Sequence, residues 1–204
     1  MSIPREIVLA SANAGKLREM RAILAPLGLA VRAVSEFTDG SAVEDGLSFV
    51  ENAIIKARFA AEASGLPAIA DDSGLEVDAL GGEPGIRSAR YAGAGADARA
   101  NNQKLLEALS EVPPAQRSAR FRCAMVFMRW PLDPAPLVSQ ASWEGRIATQ
   151  AHGAGGFGYD PLFLPAGLPG TAAELDPDAK NMLSHRGNAL RGLVTALAEM
   201  AQDR

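Results

Sequence analysis

An α/β fold is what this sequence predicts, and three observations carry that expectation. A short apolar strand at 5–10 (REIVLA) runs into a loop of small residues, Ser11-Ala12-Asn13-Ala14-Gly15-Lys16, and from there into a helix. A second amphipathic helix, 47–64, stops at Gly65 and leads straight into another apolar strand, 66–70. Two long strand-like runs, 119–130 and 137–149, are joined by a proline-rich segment and followed by a Gly-rich loop and a final helix.

In chain order, the first helix carries Leu17, Met20, Ile23, Leu24 and Leu27 at helical spacing, with Gly28 as its stop. Residues 29–34 read as the second strand. The polar stretch 35–46, with Glu44 and Asp45, precedes the 47–64 helix. That helix is expected to bury Phe49, Ala53, Ile54, Ala57, Ala60 and Ala61, and to keep Glu51, Asn52 and Lys56 on its polar faces. After 66–70 come Asp71-Asp72-Ser73-Gly74 and an alternating run, Leu75, Val77 and Ala79 against Glu76 and Asp78. The pattern predicts strand, tight turn, strand. Asp97 is placed to cap a helix to about Ser110, with Leu105, Leu106 and Leu109 inward, and Pro113-Pro114 breaks the chain. The runs at 119–130 and 137–149 form a hairpin long enough to protrude or to pair with a second copy. The last helix reaches about Ala201, with Ser184 at its cap and Leu190, Leu193, Val194, Leu197 and Met200 as its buried stripe. No repeat or linker divides the chain, so 1–204 is expected to be a single domain.

Composition excludes several classes. At 204 residues and 48% hydrophobic content the chain can bury a substantial core. A formal net charge of −4 leaves no basic excess to neutralise a polymer of phosphates or an anionic membrane surface, so no polymeric nucleic acid and no membrane are expected as partners. A small anionic ligand needs only a few local cations. The single cysteine, Cys123, cannot form an internal disulfide, and alternation sets it beside Phe121, Met125 and Phe127 as a small buried hydrophobe. The first residues lack a signal-peptide pattern and no apolar stretch is long enough to span a bilayer, so a soluble, cytoplasmic protein is expected.

Four stretches carry chemistry. Asp71 and Asp72 are adjacent carboxylates at the end of a buried strand, where repulsion and lost hydration demand a compensating cation, either a divalent metal or basic side chains. Asp-Ser-Gly is equally ordinary turn chemistry. The loop Ser11–Lys16 aims backbone N–H groups and a helix dipole at an anion, though many α/β turns look the same and the Walker spacing is absent. In Gly153-Ala-Gly-Gly-Phe157-Gly158-Tyr159-Asp160 the glycines permit close backbone approach, and the rings of Phe157 and Tyr159 offer faces for a base or anchors for a loop. In Lys180-Asn-Met-Leu-Ser184-His185-Arg186-Gly187, an arginine at a helix start with no acidic reason nearby points to a ligand contact. Of the twenty Lys and Arg residues only Lys16, Lys56, Lys104 and Lys180 are lysine, and three of these fall within or beside such motifs.

The elements SANAGK, ADDSG, GGFGYDP and SHRG, in this order and spacing, closely resemble the inosine triphosphate pyrophosphatase family over essentially the whole chain. The resemblance implies an elongated α/β fold with a mixed central sheet, two lobes flanking a cleft, a homodimer and a Mg²⁺ requirement. It implies hydrolysis of XTP, ITP and dITP to the monophosphate and pyrophosphate. Position by position, Ser11, Ala12, Asn13, Ala14, Gly15 and Lys16 match the triphosphate loop. Glu44 and Asp72 match the metal carboxylates, with Asp72 also the catalytic base, and Ser73 matches a substrate contact beside it. Phe157, Gly158, Tyr159 and Asp160 match the loop on the nucleoside. Lys180, His185 and Arg186 match further substrate contacts, the last two at the base; Lys56 is a further candidate. Ser11-Ala12 stands where Thr-Gly is common. Two other classes remain open: a nucleotide-binding regulator without catalysis, which would not need the carboxylate pair, and a pyrophosphatase for other modified nucleotides.

Overall fold

The computed structural model describes residues 6–11, 13–25 and 28–202, with side chains described up to residue 200. Among the described residues the strands β1 (Glu6–Leu9), β2 (Ala30–Ala33), β3 (Ala68–Val77), β4 (Ser118–Met128), β5 (Leu137–Ile147) and β6 (Phe163–Pro165) form one sheet in the order β2-β1-β3-β4-β5-β6. β1 runs parallel to β2 and to β3, whereas β5 and β6 are antiparallel, so the sheet is mixed. The parallel pairs need crossover connections, which α1 (Ala14–Leu24) and α2 (Phe49–Ser64) provide. The remaining helices are α3 (Ala98–Ala108), α4 (Pro177–Leu183) and α5 (His185–Gln202).

The chain divides into two compact units, one made of 1–72, 123–141 and 186–204, the other of 73–122 and 142–185. In the first, alternate residues of the strands serve two separate cores. Ile7, Leu9, Ile69, Cys123, Met125 and Phe127 pack with Met20 and Leu24 of α1 and with Leu190, Leu193 and Leu197 of α5. Val8, Ala68, Ala70, Ala124, Val126 and Met128 pack against Ala53, Ala57, Ala60 and Ala61 of α2. Strands covered on both faces read as continuous apolar runs, which is why β1 and β3 lack polar alternation in their first residues. Each buried leucine contributes about 1.5–3 kcal/mol. The alanine face of α2 carries little bulk, and Gly65, in the left-handed conformation, closes the helix as expected. In the second unit Leu75, Val77, Leu105, Leu109, Phe121, Trp143, Leu162 and Phe163 form the core. Arg117 is buried there and donates to the carbonyls of Leu109, Val112 and Ala148.

Most expected elements are present, with four differences. The strand–turn–strand expected around Asp71–Gly74 is one continuous ten-residue strand, β3. Gly74 is not among the glycines with positive φ, and cations neutralise the aspartates in place, so nothing forces a turn. α1 begins inside the small-residue loop, at Ala14, because Asn13 caps it. α4 and β6 are short elements that the composition of their segments did not announce. Arg5, Ala12 and Leu27, which belong to expected elements, lie outside the described residues. Cys123 is buried as expected, and burial pushes its thiol up to about 12.

Candidate active site

The first cluster belongs to the first unit. Asp71, 1% exposed, has Lys16 Nζ 2.8 Å and Arg186 Nε 3.2 Å from its Oδ2. Burial alone would raise this carboxyl, but the Lys16 ammonium and the Arg186 guanidinium hold it well below the usual carboxylate range. Arg186 is buried too, and its Nη1 donates to Glu19 of α1. Asp72 faces a different cation, with Lys56 Nζ 2.6 Å from its Oδ1. Burial pushes Asp72 above its ordinary value, more than Lys56 pulls it down. Burial would lower Lys56, yet Asp72, Asp71 and Glu44 together raise it. The same ammonium lies 3.2 Å from Glu44 Oε2, so Glu44 and Asp72 share one cation.

That shared cation tests the metal expectation. Two carboxylates from separate segments, converging on one positive centre, suit a hard divalent ion. Among the described residues no group of three or more His, Cys, Asp and Glu side chains forms a closed metal cage. Mg²⁺ does not require one, since it is held by one or two carboxylates and keeps water and phosphate oxygens for its other positions. The donor set therefore fits.

The loop before α1 is built by its own side chains. Asn13 Oδ1 accepts from Gly15 N at 2.9 Å and Lys16 N at 3.1 Å, and Ser11 Oγ accepts from Asn13 N at 3.2 Å. Ala14 and Gly15 are the first two residues of the helix, and Lys16 follows with its side chain turned to Asp71. Ala12 lies outside the described residues.

The second cluster belongs to the second unit. Asp160, 3% exposed, accepts from Phe157 N and from Lys180 Nζ, each at 2.7 Å. The Lys180 ammonium also lies 4.8 Å over the Phe157 ring. Gly156 has φ +72°, and a Cβ there would come within 2.1 Å of Asp160 Oδ2. A side chain at Gly155 would strike the carbonyl of Ala173. Those two glycines are therefore required by close approach. Tyr159 is buried, and its hydroxyl donates to the Ser88 carbonyl at 2.8 Å. Of the two roles open to these rings, Tyr159 has the second, anchoring the loop in the core, while Phe157 is partly exposed. His185 stacks on Phe121 at 4.8 Å and 11°. Ser73, half-buried, follows Asp72 along β3.

The structure brings Lys16, Glu44, Lys56, Asp72 and Arg186 into one cluster around Asp71, and Phe157, Gly158, Tyr159, Asp160 and Lys180 into another. Arg186 has acidic neighbours after all, Asp71 and Glu19, which sequence distance concealed. Three residues escaped the sequence: Glu19, one turn beyond Lys16; Asn52, expected on a polar face but 1% exposed; and Asn102, whose Nδ2 donates to the Gly158 carbonyl at 3.0 Å. The signal for Asn52 was its place between Phe49 and Ala53 in the apolar arc of α2.

Comparison with known proteins identifies the family. The sequence profile of the Ham1 family matches residues 7–196. A dITP/XTP pyrophosphatase of Thioalkalivibrio sulfidiphilus is 59% identical over 192 residues, 94% of this chain and 98% of that protein. One from Vibrio parahaemolyticus is 55% identical over 199 residues, 97% of this chain and 100% of that protein. Among solved structures, a HAM1 protein from Coxiella burnetii superposes with a TM-score of 0.88 at 50% identity, covering 96% of this chain and 100% of that one. With the family profile matched over residues 7–196 and relatives more than half identical over nearly its whole length, the chain belongs to the Ham1 family.

Proposed function

We propose that this chain hydrolyses deaminated purine nucleoside triphosphates, XTP, ITP and dITP, to the monophosphate and pyrophosphate. The observation that carries the reading is the convergence of Glu44 and Asp72 on a single cation, with Lys16 and Arg186 gathered on the adjacent Asp71. A non-catalytic nucleotide binder has no use for a carboxylate pair so arranged. Cleavage between the α and β phosphates needs charge neutralisation, positioning and an activated water. Glu44 and Asp72 would hold Mg²⁺, which when bound neutralises phosphate oxygens and lowers the pKa of water. Asp72 is the base for the attacking water. Lys56 and Lys16 neutralise phosphate charge, and the loop from Ser11 to Lys16 receives the triphosphate. Phe157, Gly158, Tyr159, Asp160, Lys180, Ser73, His185 and Arg186 are assigned to the substrate, Phe157 as the ring on the nucleoside.

The reading extends to a single functional domain over the whole chain, a homodimer, and a cytoplasmic enzyme that takes neither polymeric nucleic acid nor membrane as a partner. No helix among the described residues is long and apolar enough to cross a membrane.

The test is release of pyrophosphate from ITP, XTP, dITP, GTP and ATP with Mg²⁺. The 6-oxo group of hypoxanthine and xanthine accepts a hydrogen bond where the 6-amino group of adenine donates one. A site built for the acceptor discriminates by roughly 10⁴ or more. ITP and XTP are expected far ahead of ATP, and Asp72→Asn is expected to lower kcat by about 10²-fold or more. Equal kcat/KM for ITP and ATP, or near-normal turnover of Asp72→Asn, overturns the assignment.

A further inference from the structure

We infer that Asn52 is a positioning residue that sets the spacing and orientation of Glu44 and Asp72 toward a divalent cation; the inference rests on reading those two carboxylates as the metal pair. Asn52 lies in the first turns of α2, 1% exposed, and both ends of its amide are engaged. Its Oδ1 accepts from Gly46 N at 2.9 Å, and its Nδ2 donates to Asp72 Oδ2 at 3.4 Å. One side chain thus ties the backbone two residues after Glu44 to the carboxylate of Asp72.

The surroundings leave little slack. A Cβ at Gly46 would stand 2.7 Å from Glu51 Cβ and 2.8 Å from Asn52 Oδ1, so the loop lies directly on the helix and only glycine fits. Glu51 Oε2 accepts from Leu47 N at 2.8 Å and from Ser48 Oγ at 2.9 Å, fixing the next two residues to the same turn. Lys56, one helical turn beyond Asn52, reaches Asp72 Oδ1 and Glu44 Oε2. Both oxygens of Asp72 are therefore held from α2, Oδ1 by a charge that a bound metal can replace and Oδ2 by a neutral amide that it need not displace. A neutral donor orients a carboxylate without neutralising it, as a lysine here would. Residues that orient metal ligands in this way typically change metal affinity or activity by about 10–100-fold when altered.

The experiment titrates Mg²⁺ alone, without nucleotide, into the full chain and follows the thermal midpoint. It compares the wild type with Asn52→Ala, Asn52→Asp and Glu44→Gln, and Mg²⁺ activation of ITP hydrolysis is measured alongside. Asn52→Ala loses both bonds, whereas Asn52→Asp keeps an acceptor for Gly46 N, loses the donor to Asp72 and sets a like charge against it. The expected result is a half-saturating Mg²⁺ raised about tenfold or more in Asn52→Ala, with the KM for ITP at saturating Mg²⁺ little changed and the metal-free midpoint within a few degrees of wild type. Asn52→Asp, if folded, must also depart from the wild-type Mg²⁺ response. Should Glu44→Gln shift the Mg²⁺ response while both Asn52 variants keep it, the positioning role is overturned and the metal pair stands. Should Glu44→Gln leave it unchanged, the metal pair itself falls, and the inference with it. A lowered metal-free midpoint with an unaltered Mg²⁺ response makes Asn52 a merely structural residue and overturns the inference.

Discussion

Asp71 and Asp72 are neighbours with opposite electrostatic fates, and the difference is set by which cation reaches each. Asp71 is held down by Lys16 and Arg186, so its ionised form stabilises the fold. Its contribution is complete above the unfolded carboxylate pKa of about 4 and is lost as pH falls below it. Asp71→Asn is therefore expected to cost about 3–5 kcal/mol at pH 7, because the buried Arg186 and the half-buried Lys16 lose a shared counter-charge. The deficit relative to wild type should shrink as pH drops below about 4. Urea unfolding of both proteins from pH 7 to pH 3 measures it; a deficit independent of pH would mean that the pair is not what holds Asp71. The need for cations at this dipeptide was legible in the sequence, since two carboxylates after Ala68-Ile69-Ala70 cannot be left bare. Their identity was not, because Arg186 lies 115 residues away from Asp71 in the chain and no local pattern joins them. The same distance hid the acidic partners of Arg186, so a residue expected at the base is found tied to Asp71 and Glu19.

Elements were legible where periodicity was strong. The stripes of α1, α3 and α5 and the capping of α3 by Asp97 follow from spacing and turn chemistry alone. The continuity of β3 did not, since Asp-Ser-Gly is turn-like in isolation and only the neighbouring charges and sheet partners keep it extended. The loop at 153–160 is the clearest case of an element specified by glycine. Gly156→Ala would combine a left-handed backbone, costing about 1–2 kcal/mol, with a Cβ aimed at the Asp160 carboxylate. Asp160 would be pushed off Phe157 N and Lys180. The expected outcome is a raised KM for ITP with a smaller change in kcat, together with a lower thermal midpoint. Steady-state kinetics with ITP checks it, and unchanged KM would detach this loop from the substrate.

For the whole molecule, the proposed homodimer predicts a light-scattering mass of twice one chain at micromolar concentration; a single-chain mass would withdraw it. Trp130, Leu132 and Val138, 41%, 82% and 43% exposed, are apolar groups at the β4–β5 connection consistent with a covered surface. The division of the chain has a separate consequence, for synthesis. Residues 73–122 and 142–185 make up one unit, while the other is assembled from three stretches, the last beginning at Arg186. A ribosome releases these stretches in order, so β1, α1 and β3 wait for α5, with Ile7, Leu9 and Met20 lacking Leu190, Leu193 and Leu197. Throughout that interval Asp71 has Lys16 but not Arg186. The unit that carries the carboxylates is thus the last to close, and until the final helix emerges the nascent chain exposes apolar strands that molecular chaperones are suited to shield.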